Sequence, residues 1–178
     1  GKIDPIATWH QLFHDRNVAG LDALLAPDAV FHSPVVHKPQ VGKAITTKYL
    51  AAAFLVLGNE SFRYVRELRA EHDAVLEFEL ELDGIRINGV DLIRWNGEGQ
   101  ITEFKVMLRP LKAVNLIHQK MAAMLQAGMS IVVSLATVEE QIVLPGFRYV
   151  VASIRETIES GGAFSDGLAL FPRIFDDL

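Results

Sequence analysis

The chain has no cysteine in its 178 residues, which excludes disulfides, thiolate nucleophiles and zinc-thiolate sites together. It is also poor in charge of one sign. Seventeen basic side chains stand against 22 acidic ones, a formal charge of −5, and the arginines alternate with glutamates, as in RYVRELRAEH. That pattern argues against nucleic acid and anionic membrane surfaces as partners. Long apolar runs are missing too: 49–58 and 130–133 fall far short of the ~20 residues that cross a bilayer. The first residues carry no charged-then-apolar leader, so a cytoplasmic location is expected. What is present is an ordinary length for one domain, with 50% of residues apolar, enough to bury a core without covalent staples.

In chain order, Asp4 before Pro5 reads as an N-cap, and Ile6, Trp9, Leu12 and Phe13 recur at helical spacing over 5–16. A short helix over 18–25 ends before Pro27, and a β segment over 29–32 runs into Ser33-Pro34. A third helix, 43–57, is apolar on nearly every side and is expected to be buried. From Ser61 the period becomes two. Strands are expected over 61–71, 74–82, 85–95 and 101–109, joined by tight turns at His72-Asp73, Asp83-Gly84 and Asn96-Gly97. A fourth helix covers 110–126 and is expected to stop at Gly128. Residues 1–128 thus form one domain, and 129–178 read as an extension packed on it or on a dimer mate.

The alternation isolates one residue. Ile85, Ile87, Gly89, Asp91, Ile93 and Trp95 share a face of the third long strand, and Thr102, Phe104, Val106 and Leu108 share one on the fourth. Asp91 therefore points where its neighbours are apolar. A carboxyl there loses hydration, which favours its neutral form; it serves either as an acid or hydrogen-bond donor in a pocket, or as a member of a satisfied buried network. Glu77, Glu79 and Glu81 on the opposite face, with Arg63, Arg66, Arg69, Arg86 and Arg94 on the strands around them, read as cross-strand ion pairs. His10 and His14 have the i, i+4 spacing of metal ligands, but Gln11, Leu12 and Phe13 between them supply neither a Glu nor a third ligand. No metal and no cofactor are expected. Met107, Met121, Met124 and Met129 read as core fillers.

The segments LDALLAPDAVFHSPVV and GVDLIRWNGEGQITEFKVML resemble the helix-strand entry and the last hairpin of the SnoaL-like, nuclear transport factor two-like family, which includes ketosteroid isomerase and limonene epoxide hydrolase. The resemblance covers 5–126. It implies an α+β cone, a bent antiparallel sheet wrapped around helices, whose interior is a pocket for a small, largely apolar molecule. It also implies a homodimer formed through the outer face of the sheet. Pocket walls are then expected from Trp9, Phe13, Ser33, Phe54, Tyr64, Phe78, Ile93, Trp95, Phe104, Val106 and Leu108. On the isomerase pattern Asp91 falls on the donor aspartate, but Ser33 stands at the base and Trp9 at the tyrosine donor. On the cyclase and hydrolase patterns Val106 stands at a required acid. Catalysis thus rests on Asp91, with His32 as candidate base. Two functions stay open: an isomerase, cyclase or hydratase of a small molecule, and a non-catalytic ligand-binding or dimeric interaction module with a vestigial pocket.

Overall fold

The computed structural model describes residues 3–142 and 144–171. Helix α1 (Pro5–Asp15) starts where the Asp4 carboxylate accepts the amides of Ile6 and Ala7, and it buries Ile6, Trp9 and Leu12 on one face. A single turn, α2 (Leu21–Leu24), leads into β1 (Leu25–His32). This strand begins before its expected start at Ala29 because Leu25 already pairs with Ile101. The register shifts before Val30, and Pro27, with no amide to give a ladder, lies within the shift. Short β2 (Gln40–Val41) and helix α3 (Lys43–Leu57) follow, the helix buried through Leu50, Ala51, Phe54 and Leu57.

The period-two region folds as expected into β3 (Arg63–Arg69), β4 (Asp73–Leu82), β5 (Ile85–Trp95) and β6 (Ile101–Arg109). They form an antiparallel meander, and β1 joins it parallel to β6, which gives the order β2-β1-β6-β5-β4-β3. The curved sheet packs its dry face on α1 and α3, so the fold is the expected α+β cone. One local expectation fails. Ile101 rather than Thr102 is buried, because the register slips at Trp95 and leaves Thr102 between ladder pairs.

The largest departure is in the last helix of the cone. Helix α4 runs unbroken from Leu111 to Gln141, so Gly128 does not end it. A lone glycine costs a helix interior about 1 kcal/mol, which the apolar sequence on either side outweighs. Pro145 occupies the first turn of α5 (Pro145–Glu159), where its missing amide does no harm. The short α6 (Phe164–Ala169) follows a turn at Gly161, whose φ is +101°; a Cβ there would meet Thr47 of α3 at 3.0 Å. The arm made of α4, α5 and α6 has its own small core of Val150, Ile154 and Ile158. The closing segment of the chain, from 172, lies outside the described residues. No described helix is long and apolar enough to cross a membrane.

Gly89 sets how closely the strands approach beside Asp91. A Cβ there would lie 2.8 Å from the carbonyl oxygen of Met107 and 2.4 Å from the Phe78 ring, and the carbonyl belongs to a paired strand that cannot swing aside. Gly89→Ala is therefore expected to lower stability by about 1–3 kcal/mol in urea unfolding; a loss below about 0.5 kcal/mol would mean that the sheet relaxes freely here.

Candidate functional site

Asp91 sits in mid-strand on β5, opposite Leu76 of β4 and Val106 of β6. Its side chain is buried, with 5% of its surface exposed. The Tyr64 hydroxyl donates to its Oδ2 at 2.7 Å, and the Trp9 indole Nε1–H donates to the Tyr64 oxygen at 2.9 Å. Three elements thus meet in one chain of donors: Trp9 from α1, Tyr64 from β3 and Asp91 from β5. Tyr64 is aimed inward because it pairs with Phe78 ahead of the bulge at Val65. Beyond the bulge, Glu67 and Arg69 take the inner side, where they meet α1: His10 Nε2 lies 2.7 Å from Glu67, and Arg69 donates to Asp4 at 2.9 Å.

The space beside the carboxyl is small. The cavity holds about 20 Å³, room for about one water. Most of the cone interior is taken by aromatic rings. Trp9 packs on Phe54 and Phe104 at centroid distances of 5.4 and 4.7 Å, and Phe13 packs on Phe62 at 4.5 Å.

Of the residues expected to form the pocket, Trp9, Phe13, Tyr64, Phe78, Phe104 and Val106 line this cavity with Asp91. Phe54 is buried behind Trp9, and Ile93 is core. Leu108 packs opposite Gly89, nearer the end of the strand. Trp95 is half-buried at the far end of β5 and faces His72. Two expectations are corrected. His32 points out of the sheet, with Nε2 3.4 Å from Glu103, because Phe31 takes the inward position opposite Phe104. Ser33 caps a turn, its Oγ accepting the amides of Val35 and Val36. The candidate base is thus not brought to the candidate acid. Residues missed from the sequence are Leu50, Ala53, Leu57 and Phe62. Their signal was present: the first three share a face of α3, and Phe62 alternates with Tyr64.

Among the lining residues the titratable groups are Asp91 and Tyr64. Burial pushes the Asp91 carboxyl up to about 7, against a smaller lowering by the Tyr64 hydrogen bond. Burial and the neighbouring carboxyl raise the Tyr64 phenol well above its ordinary value. From about pH 4 to about pH 7 the folded chain holds a proton on Asp91 that the unfolded chain has lost. This contribution to stability is thus greatest at the acid end, falls as pH rises through that window and levels off above it, a change of at most about 4 kcal/mol. Asp91→Asn is expected to leave stability near pH 4 little changed and to raise the melting temperature above pH 7.5, flattening the profile. Tyr64→Phe strips the carboxyl of its donor and Trp9 of its acceptor. It is expected to lower stability by about 1–3 kcal/mol in denaturant titrations, and an unchanged midpoint would show that neither bond matters.

Known proteins divide the chain in two. The family model of the SnoaL-like domain matches residues 6–104, and that of the type II secretion system protein F matches residues 118–178. Two solved structures resemble the first part. A steroid delta-isomerase of Pseudomonas aeruginosa is 34% identical, with a TM-score of 0.67 over 71% of this chain and 92% of its own. A protein with a cystatin-like fold from Silicibacter pomeroyi DSS-3 is 31% identical, with a TM-score of 0.64 over 68% of this chain and 85% of its own. The type IV pilus assembly protein PilC of Myxococcus xanthus (strain DK1622) is 31% identical over 67 residues, which span 38% of this chain and only 16% of PilC. With the conserved geometry of helices and curved sheet beside these matches, the chain belongs to the SnoaL-like family.

Proposed function

We propose that this chain is a non-catalytic SnoaL-like interaction module whose cone interior has been given over to packing. The observation that carries this reading is the cavity beside Asp91, about 20 Å³ where a small-molecule pocket needs roughly 300–1,000 Å³. The two titratable groups that line it are bonded to each other. Proton transfer on a substrate asks for an acid and a base at separate points of the molecule, and here no second group stands apart from the pair.

What such a module offers is surface. On the outer face of the sheet, Leu68, Val75 and Leu92 are register neighbours across three strands, and Val90 and Met107 lie in the adjacent row. Leu68 is 59% and Met107 50% exposed, so Met107 is no core filler; Met121 packs on the core, Met124 is exposed, and the Met129 side chain lies outside the described residues. Around this strip run ion pairs, Arg63–Glu79 and Arg66–Glu77 among the glutamates expected to pair, and Arg94–Asp73 beside them. An apolar strip with a rim of both signs suits a two-fold contact with a second copy, and we place the homodimer there, in the cytoplasm. The arm, most of it within the residues 118–178 that the family model of the type II secretion system protein F matches, gives the module a second, helical surface.

A second reading keeps Asp91 as an acid in an isomerase, cyclase or hydratase of a small apolar molecule. It is favoured by the 34% identity to a steroid delta-isomerase and by a carboxyl titrating near neutral pH; a ligand would have to displace Trp9 and Phe13. Incubation with a Δ5-3-oxosteroid, followed by absorbance of the conjugated product, separates the two. The module reading expects no turnover above buffer, and turnover abolished by Asp91→Asn would overturn it. In sedimentation velocity, the wild type is expected to run as a dimer and the double variant Leu68→Lys, Met107→Lys as a folded monomer. A variant that stays dimeric would move the interface elsewhere.

A further inference from the structure

The Asp91 carboxyl is under-served. Tyr64 brings it one hydrogen bond, and no other donor reaches it among the described residues. A buried carboxylate normally needs two or three donors, or water, to remain ionised. The groups facing it from each neighbouring element do not help. Helix α3 offers Leu50, Ala53 and Leu57, β4 offers Phe78, β6 offers Val106, and α1 offers Trp9 and Phe13. Tyr64 of β3 is the sole titratable group at the cavity wall among them, and behind it stand His10 and Glu67.

The wall of the cavity is least closed at Phe13, Ala53, Phe62 and Tyr64, the half-buried residues among those that line it. Trp9 and Phe13 both belong to α1. Helix α1 is tied to β3 in three places: Trp9 to Tyr64 inside, and His10 to Glu67 and Asp4 to Arg69 outside. The inner tie shares the Tyr64 hydroxyl with Asp91. Whatever Asp91 demands of that hydroxyl is therefore felt by the helix.

We propose that α1 is a proton-controlled latch on the cone, seated when Asp91 is protonated and loosened when Asp91 is ionised, so that water enters on the Trp9–Phe13 side. A neutral carboxyl is content with Tyr64 and the one water that its cavity has room for; an anion is stabilised by further water, and α1 is the element that gives way. The outer ties, His10 to Glu67 and Asp4 to Arg69, resist this opening.

The test is hydrogen–deuterium exchange of the full chain at pH 5.5 and pH 8.5, corrected for intrinsic exchange and read on peptides covering Pro5–Asp15. Opening linked to a carboxyl near 7 rises about tenfold for each pH unit below that point, so α1 amides are expected to lose roughly thirtyfold protection between the two conditions. Asp91→Asn is expected to remove the difference, and His10→Gln to retain it. Equal protection of the wild type at both pH values overturns the latch, as does a difference that survives in Asp91→Asn or vanishes in His10→Gln. Should Asp91→Asn fail to fold, Trp95→Phe leaves Trp9 as the sole indole. Its emission is expected to move to longer wavelength with a midpoint near pH 7, and a flat titration overturns the latch equally.

Discussion

The fold is arranged around a single carboxyl taken out of water. Asp91 lies at the middle of the central hairpin, opposite Leu76 and Val106, where an aliphatic side chain would pack without penalty. Its presence obliges the interior to supply a donor, and Tyr64 is that donor. Tyr64 in turn needs the bulge that turns β3 over at Val65, and its oxygen gives the Trp9 indole an acceptor that keeps α1 seated. The aromatic rings then close the remaining space. Two side-chain hydrogen bonds thus link a helix, a bulged edge strand and the central hairpin through the interior.

Much of this was legible in the residues. Alternation gave the four long strands, and β5 and β6 have the bounds that the Gly and Asn turns dictate. Asp4 followed by Pro5 marked the start of α1 correctly. Asp91 stood out because one charged residue interrupted an inward-facing row. What alternation does not carry is the phase of a strand after a bulge. Thr102 and the Glu67–Arg69 stretch each changed sides by one residue, and His32 faced outward because Phe31 had the stronger claim to the core. Volume is also beyond such reading: alternation and helical spacing name the inward aromatic residues, but a wall and a plug are made of the same side chains. Gly128 misled for a different reason, since a C-cap glycine is diagnostic only where the residues beyond it stop favouring a helix.

Between the two matched parts of the chain lie the end of β6 and the first turns of α4, a helix that begins on the cone and ends in the arm. The SnoaL-like match ends at residue 104 and the secretion-protein match begins at residue 118, and both lie within one continuous run of strand and helix. Gly161 against Thr47 adds a second point of attachment to α3. Two such contacts restrict rotation of the arm about the helix axis in a way that a flexible linker would not.

The parallel pairing of β1 with β6 has a consequence for how the chain is made. Leu25 and Ile101 are partners, so apart from the two-residue β2, which pairs with Val30 and Phe31, the first strand has no strand to join until the last strand of the sheet exists. During synthesis the N-terminal third, including Trp9 and the apolar α3, emerges before the meander that covers it, with only contacts such as Trp9 on Phe54 available to it. Local hairpins among β3, β4 and β5 can close early, but the core closes only when β6 arrives, and contacts this distant in sequence slow folding. The nascent chain therefore exposes its stickiest helices for most of the time that its ribosome takes to complete the sheet.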